Sequence, residues 1–152
     1  MNVGELCSRR PVTVSGSAQV LEAARRMRDE HVGVVIVTEG TGADARVTGI
    51  LTDRDIVRAQ LAHAATLTNV SVGEAMTRDP LVLREDESID GALAHLRARG
   101  VRRAPVVSDS GAPLGLMSAD DILVHLGGTL MGLAGIVAWQ VRKETDQRPG
   151  EE

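Results

Sequence analysis

Apolar residues along the chain follow two rhythms that alternate. Val20, Ala23, Ala24 and Met27 recur at i, i+3, i+4 and i+7, which predicts an amphipathic helix with one buried face. A continuous apolar run, "VGVVIV" (Val32 to Val37), then reads as a buried strand. "RVTGIL" follows as a second strand after the Gly- and Asp-rich turn "EGTGADAR", and "DRDIVRAQLAHAA" reads as a helix. The same order returns later. Ile89, Ala92, Leu93 and Leu96 form a second helical stripe, and "VRRAPVV" (Val101 to Val107), "PLGLM" and "ADDILVHL" follow it. Gly4-Glu5 falls on Gly73-Glu74 and Pro11 on Pro80, a shift of 69; Gly49 and Gly115 differ by 66, so the first copy carries three extra residues, placed in the turn. Ser17 and Asp86 correspond and are expected to cap the two striped helices.

The chain is therefore a duplication. Each copy, at about 60 residues, buries too little apolar surface to stand alone. Packing the two sheets face to face solves this. The predicted fold is α/β: two pseudo-twofold-related βαββα units packed sheet to sheet, with a C-terminal helix. The divisions are 1–68 and 69–127 for the units, 128–143 for an apolar helix, and 144–152 for a charged, disordered tail. Ile122 to Val141 lacks any Asp, Glu, Lys or Arg. Gly127-Gly128 is expected to break that run, leaving a segment too short to span a bilayer; the helix is expected to pack on a partner in a homodimer.

Composition narrows the function. The formal net charge is −4 and Trp139 is the sole aromatic residue. Neither a cationic field nor stacking platforms for nucleic acid are on offer. Cys7 is the only cysteine, which suits a reducing compartment, and "MNVGELCSRR" has no apolar signal-peptide core, so a cytoplasmic location is expected. The four histidines (His31, His63, His95 and His125) lack tight metal-ligand spacing. No nucleophile sits beside a base, so no enzyme activity is expected.

The chemistry lies in "GILTDRD" and "GLMSADD". Thr52 with Asp55, and Ser118 with Asp121, fit a capping box, the hydroxyl taking a first-turn amide and the acid reaching back. The same helix start suits a phosphate, with the hydroxyl donating to it and the carboxylate accepting from a ribose diol. Gly49 and Gly115 would let a ligand approach the backbone. Both readings remain open on the motif alone.

Residues Gly4 to His63 and Gly73 to Leu126 resemble a tandem pair of cystathionine-β-synthase (CBS) domains, a Bateman module. The segments that carry this are "GILTDRDIV", "GLMSADDIL", "GVRRAPVVSDSG", "RRPVTVS" and "RDPLVLRED". The resemblance implies a regulatory sensor for AMP, ADP, ATP, S-adenosylmethionine or NAD, bound between the domains and signalled by conformational shift to a regulated protein. No cofactor is required, and Mg²⁺ would enter only with ATP. Ribose and phosphate would meet Thr52, Arg54, Asp55, Ser118, Asp121, Arg102 and Arg103. The base would lie against Val12, Thr13, Val35, Ile36, Leu81, Val82, Ala104 and Pro105. Arg54 supports the first motif, while the second has Asp120 there but gains Arg102 and Arg103, and is favoured. The alternative is a structural or protein-interaction dimer in which both motifs are only helix caps.

Overall fold

A computed structural model describes residues 1–62 and 69–146; His63 and the end of the predicted tail, 147–152, lie outside them. The elements run α1 (Val3–Leu6), β1 (Thr13–Ser15), α2 (Val20–Asp29), β2 (Val34–Glu39), β3 (Arg46–Thr52), α3 (Asp53–Ala62), α4 (Val72–Ala75), β4 (Thr77–Arg78), β5 (Leu83–Arg84), α5 (Ile89–Arg99), β6 (Arg103–Val107), β7 (Pro113–Ser118) and α6 (Ala119–Asp146). One sheet has the order β1-β2-β3-β4 and the other β5-β6-β7. In each, a parallel pair joined through a helix (β1 with β2, β5 with β6) is followed by an antiparallel hairpin. The two βαββα units are those the duplicated pattern predicts.

Of the striped positions, Val20, Ala23 and Met27 in α2 and Ala92 and Leu96 in α5 are buried, while Leu93, expected on the same face, is exposed. Their caps differ from expectation. Gln19 precedes α2 without a side-chain cap, while Ser17 bonds Ser15. Ser88 caps α5 through the Gly91 amide, while Asp86 pairs with Arg84. In each case the cap stands immediately before the first helical residue, so a hydroxyl or acid further upstream misses the first-turn amides.

The two cores do not follow the contiguous halves. Val3 and Cys7, from the start of the chain, are buried with Leu83, Leu96, Val106 and Met117 in the second unit. Val72 is buried with Val14, Met27, Val35 and Leu51 in the first. The backbone shows the same exchange. Ser8 and Leu116 trade hydrogen bonds of 3.0 and 3.1 Å, extending the second sheet, while β4 pairs with β3 and extends the first. Two short helices drive it. Asn2 with Glu5, and Ser71 with Glu74, form capping boxes that start α1 and α4 and turn Val3 and Val72 inward. Full burial of each valine contributes about 1.5–3 kcal/mol, which holds the exchanged segments in place.

Gly127-Gly128 does not end the last helix. α6 runs unbroken for 28 residues, and its charged end belongs to the helix as far as Asp146 rather than to a disordered tail. An interior glycine costs about 1 kcal/mol relative to alanine, which weakens a helix without stopping it when no proline or turn residue follows. By length and composition, Ala119–Thr145 is enough to cross a membrane, and 6% of its most apolar window is buried. An added Cβ at Gly128 meets nothing within 4 Å. Gly128→Ala is therefore expected to stabilise α6 by about 1 kcal/mol. The check is a higher far-UV circular-dichroism helix signal that melts later; an unchanged melt would contradict it.

Candidate functional site

Strands β3 and β7 end at Thr52 and Ser118, and α3 and α6 start at the next residue. In the first copy the Asp55 amide donates to Thr52 Oγ1 (3.2 Å), and the Thr52 amide and hydroxyl donate to Asp55 Oδ2 (3.0 and 2.7 Å). The second copy repeats this between Ser118 and Asp121, at 3.2, 2.8 and 2.6 Å. Both capping boxes are therefore formed. Each acid uses Oδ2 alone, with no hydrogen bond to Oδ1 among the described residues, so one carboxylate oxygen of each remains able to accept from a diol.

The copies differ at the first turn. The Asp53 amide donates to Gly33 O, and the Arg54 amide to Asp53 Oδ1 (2.8 Å). With Asp55 N on Thr52, the first three amides of α3 are all engaged. In the second copy Ala119 replaces Asp53, and its amide donates to Arg102 O. The Asp120 amide has no hydrogen bond among the described residues, so the second copy alone keeps a first-turn donor available to an anion.

The arginines also divide. Arg102 pairs with Asp120 at 3.0 Å, both well exposed, so it is partly neutralised by the acid at Arg54's equivalent position. Arg103 lies on β6 directly opposite Ser118 and is exposed. Arg54 is exposed with no side-chain partner among the described residues.

The expected walls sort by the two-residue period of the strands. Val35 and Ala104 face their own cores and are fully buried, so their side chains line no ligand space. Ile36 and Pro105 point away from those cores yet are 2% exposed or less, because the other sheet covers that face. A void of about 70 Å³ remains there, lined by Arg10, Pro11, Val12, Val34, Ile36 and Leu116. Leu116 stands two residues before Ser118, on the same face of β7. Leu116 is the one residue of the second half that lines this void; the remaining walls come from the first half. Asp55 of the first motif lines an open cleft of about 350 Å³ with Arg58, Met76 and Thr77. Thr13 is apart from both motifs, on a cleft with Arg26, whose guanidinium donates to Thr13 O (2.9 Å). Leu81 packs against the second core, and Val82 is half-buried.

Gly49 and Gly115 are not open to a ligand. A Cβ at Gly115 would fall onto the Ser8 carbonyl oxygen and within 3.0 Å of Cys7 Sγ; one at Gly49 would fall onto Met76 Sδ and within 2.9 Å of Thr77 O. The exchanged segments occupy the space that these glycines provide. Burial pushes the Cys7 thiol up, opposed in part by the Arg9 charge, which keeps it un-ionised near neutral pH. Alkylation of Cys7 is expected to proceed only as fast as the chain unfolds; a rapid reaction with the native protein would contradict its burial.

Two sheets with exchanged entry segments, each followed by a Thr/Ser-x-x-Asp helix start, define a CBS-pair architecture. The chain belongs to the CBS domain family: the family model matches residues 3–62 and 72–128. It is 32% identical over 124 residues to an uncharacterized protein, MK0525, of Methanopyrus kandleri, covering 81% of this chain and 61% of that one. It is 29% identical to a homoserine O-acetyltransferase of Methanohalophilus mahii, over 84% of this chain and 25% of the enzyme. The chain thus spans only part of these two relatives. Among solved structures, the CBS domain pair of protein MJ0100, in complex with methylthioadenosine and S-adenosyl-L-methionine, matches with a TM-score of 0.72 and 25% identity, covering 85% of this chain and 98% of that one.

Proposed function

We propose that the chain is a non-catalytic regulatory module that binds an adenosine compound between its two units, at the helix start headed by Ser118 and Asp121. The observation that carries this is the aliphatic slot between the sheets, whose Leu116 wall continues along β7 to Ser118. The base enters the slot against Val12, Val34 and Ile36. The ribose diol donates to Asp121 Oδ1. A phosphate or other anionic group meets the Asp120 amide, with Arg103 and Arg10 as cations. The MJ0100 domain pair, with its two adenosine-containing ligands, supports this class of ligand. Methylthioadenosine and S-adenosylmethionine carry no phosphate, and for them the slot and Asp121 are the recognition elements.

The void as it stands, about 70 Å³, is smaller than the roughly 300 Å³ or more of a ligand pocket. Binding therefore has to part the two sheets or move Arg10. A ligand that fits only the parted arrangement raises its population, and a regulated protein reads the change. Mg²⁺ enters only as the companion of ATP. The complete capping boxes favour one rival, a scaffold in which Ser118 and Asp121 do nothing more than start a helix. Thermal unfolding separates the two. A ligand specific for the folded state at 100-fold excess over its Kd adds about 2.7 kcal/mol. At least one of AMP, ADP, ATP, S-adenosylmethionine, methylthioadenosine and NAD should raise Tm by several degrees in protein refolded free of ligand. No shift with any of them overturns the sensor reading.

A further inference from the structure

The two copies keep one fold, so a place where several of their residues differ together points to a task that only one copy has. Such a place lies at the end of the first sheet remote from Thr52. There an open cleft of about 400 Å³ is lined by Thr13, Ser15, Arg26, Thr38, Gly40 and Thr41. Val34, at one end of β2, stands opposite Thr52; Thr38, beside Ser15, is near the other end, so the cleft is separate from the helix start at Thr52. At the shift of 69 that aligns the copies up to the turn, Thr13 and Thr38 correspond to Val82 and Val107, and Ser15 and Gly40 to Arg84 and Asp109. In the second copy an ion pair fills this place, Arg84 donating to Asp109 (2.6 Å) and to Asp86 (3.1 Å). The first copy has hydroxyls and a glycine there, and Gly40 and Thr41 belong to the turn that carries its three extra residues.

Thr38 is 8% exposed, the one buried polar residue among the described residues, and its hydroxyl has no hydrogen bond among them. Val107, at 9%, fills the equivalent position with the same shape and no polar atom. A buried hydroxyl without a partner is a net cost that the isosteric valine avoids. On a cleft wall, a bound group can supply that partner. Charge narrows its kind. Arg26 is the one charged residue among the described residues that line the cleft. Its guanidinium donates to Thr13 O (2.9 Å) and meets Glu22 at 3.4 Å, in an exposed pair that water screens. Arg26 Nε has no hydrogen bond among the described residues. We infer that this cleft binds a phosphate group, as the free ion or carried on a small metabolite. Arg26 supplies the charge, and the Thr38 and Ser15 hydroxyls donate to the phosphate oxygens. The Gly40 and Thr41 amides, without hydrogen bonds among the described residues, add donors at the rim.

The test is amide NMR of the full chain, titrated at constant ionic strength with inorganic phosphate and, separately, with glycerol phosphate. At least one should give saturable shifts centred on Thr38, Gly40 and Thr41 in the millimolar range. A response to both or to the ion alone identifies phosphate itself as sufficient, and a response to the ester alone identifies a phosphorylated metabolite. Thr38→Val should weaken binding roughly tenfold or more, while Tm holds or rises. Arg26→Gln should weaken it at least as much. No saturable shift with either probe, shifts centred on Asp120 and Arg103 instead, unchanged affinity in either variant, or a lower Tm in Thr38→Val would each overturn the site. Neither Thr38 nor Arg26 lines the slot beside Leu116, so these outcomes leave the adenosine reading untouched.

Discussion

Gly115→Ala is expected to destabilise the chain more than any other methyl-sized change. The added carbon falls onto the Ser8 carbonyl oxygen, a backbone atom held by its bond from the Leu116 amide, and onto the edge of Cys7. No flexible side chain can swing aside. Either β7 bulges away or the segment from Val3 to Ser8 lifts off the second core. Overpacking of this kind costs about 1–3 kcal/mol, and undocking Val3 adds about 1.5–3 kcal/mol more. The urea midpoint should fall with a loss in that range, and Cys7 should become reactive toward thiol reagents in parallel. Gly128→Ala, the same change on the free part of α6, should act in the opposite direction. A loss below about 0.5 kcal/mol for Gly115→Ala would mean that the exchanged segment is not held at this position.

The second large effect falls on affinity. Asp121→Asn keeps the size of the side chain and an oxygen that can cap Ser118, so stability should change by about 1 kcal/mol or less. It removes the charge that a ribose diol would bond. Hydrogen bonds to charged groups are worth about 1.5–3 kcal/mol, so the affinity of whichever adenosine compound binds should fall roughly 10- to 150-fold. Asp55→Asn, in the copy whose first-turn amides are all engaged, should leave that affinity within about twofold. Equal losses in the two variants would remove the asymmetry, and an unchanged Asp121→Asn would reduce the motif to a cap.

Much of this was legible in the sequence, because local patterns record local constraints. The helical stripes, the paired strands and both capping boxes follow from residues within a few positions of one another. The repeat shows which residues are equivalent: Gly49 with Gly115, Thr52 with Ser118. It does not show which copy a residue packs against. A twofold duplication permits Val3 to enter either core, and both arrangements satisfy the same pattern. For that reason Gly115 reads as an opening for a ligand until Ser8 is found lying on it. The signal that was present lies in "NVGE" and "SVGE", two short capping-box starts that commit Val3 and Val72 to burial. Val35 and Ala104 read as ligand walls for a simpler reason. A strand buried on both faces gives no alternation, so its core side and its cleft side look alike. Gly127-Gly128 reads as a break, yet neither glycine takes the φ > 0 turn that would end the helix.

The most direct test is calorimetric titration of refolded, ligand-free protein with S-adenosylmethionine and the adenine nucleotides, beside the Asp121→Asn and Asp55→Asn variants. The predicted result is saturable heat from at least one compound, with one site per chain, lost or strongly weakened in Asp121→Asn and retained in Asp55→Asn. Absence of heat from every compound, or binding indifferent to Asp121, would contradict it.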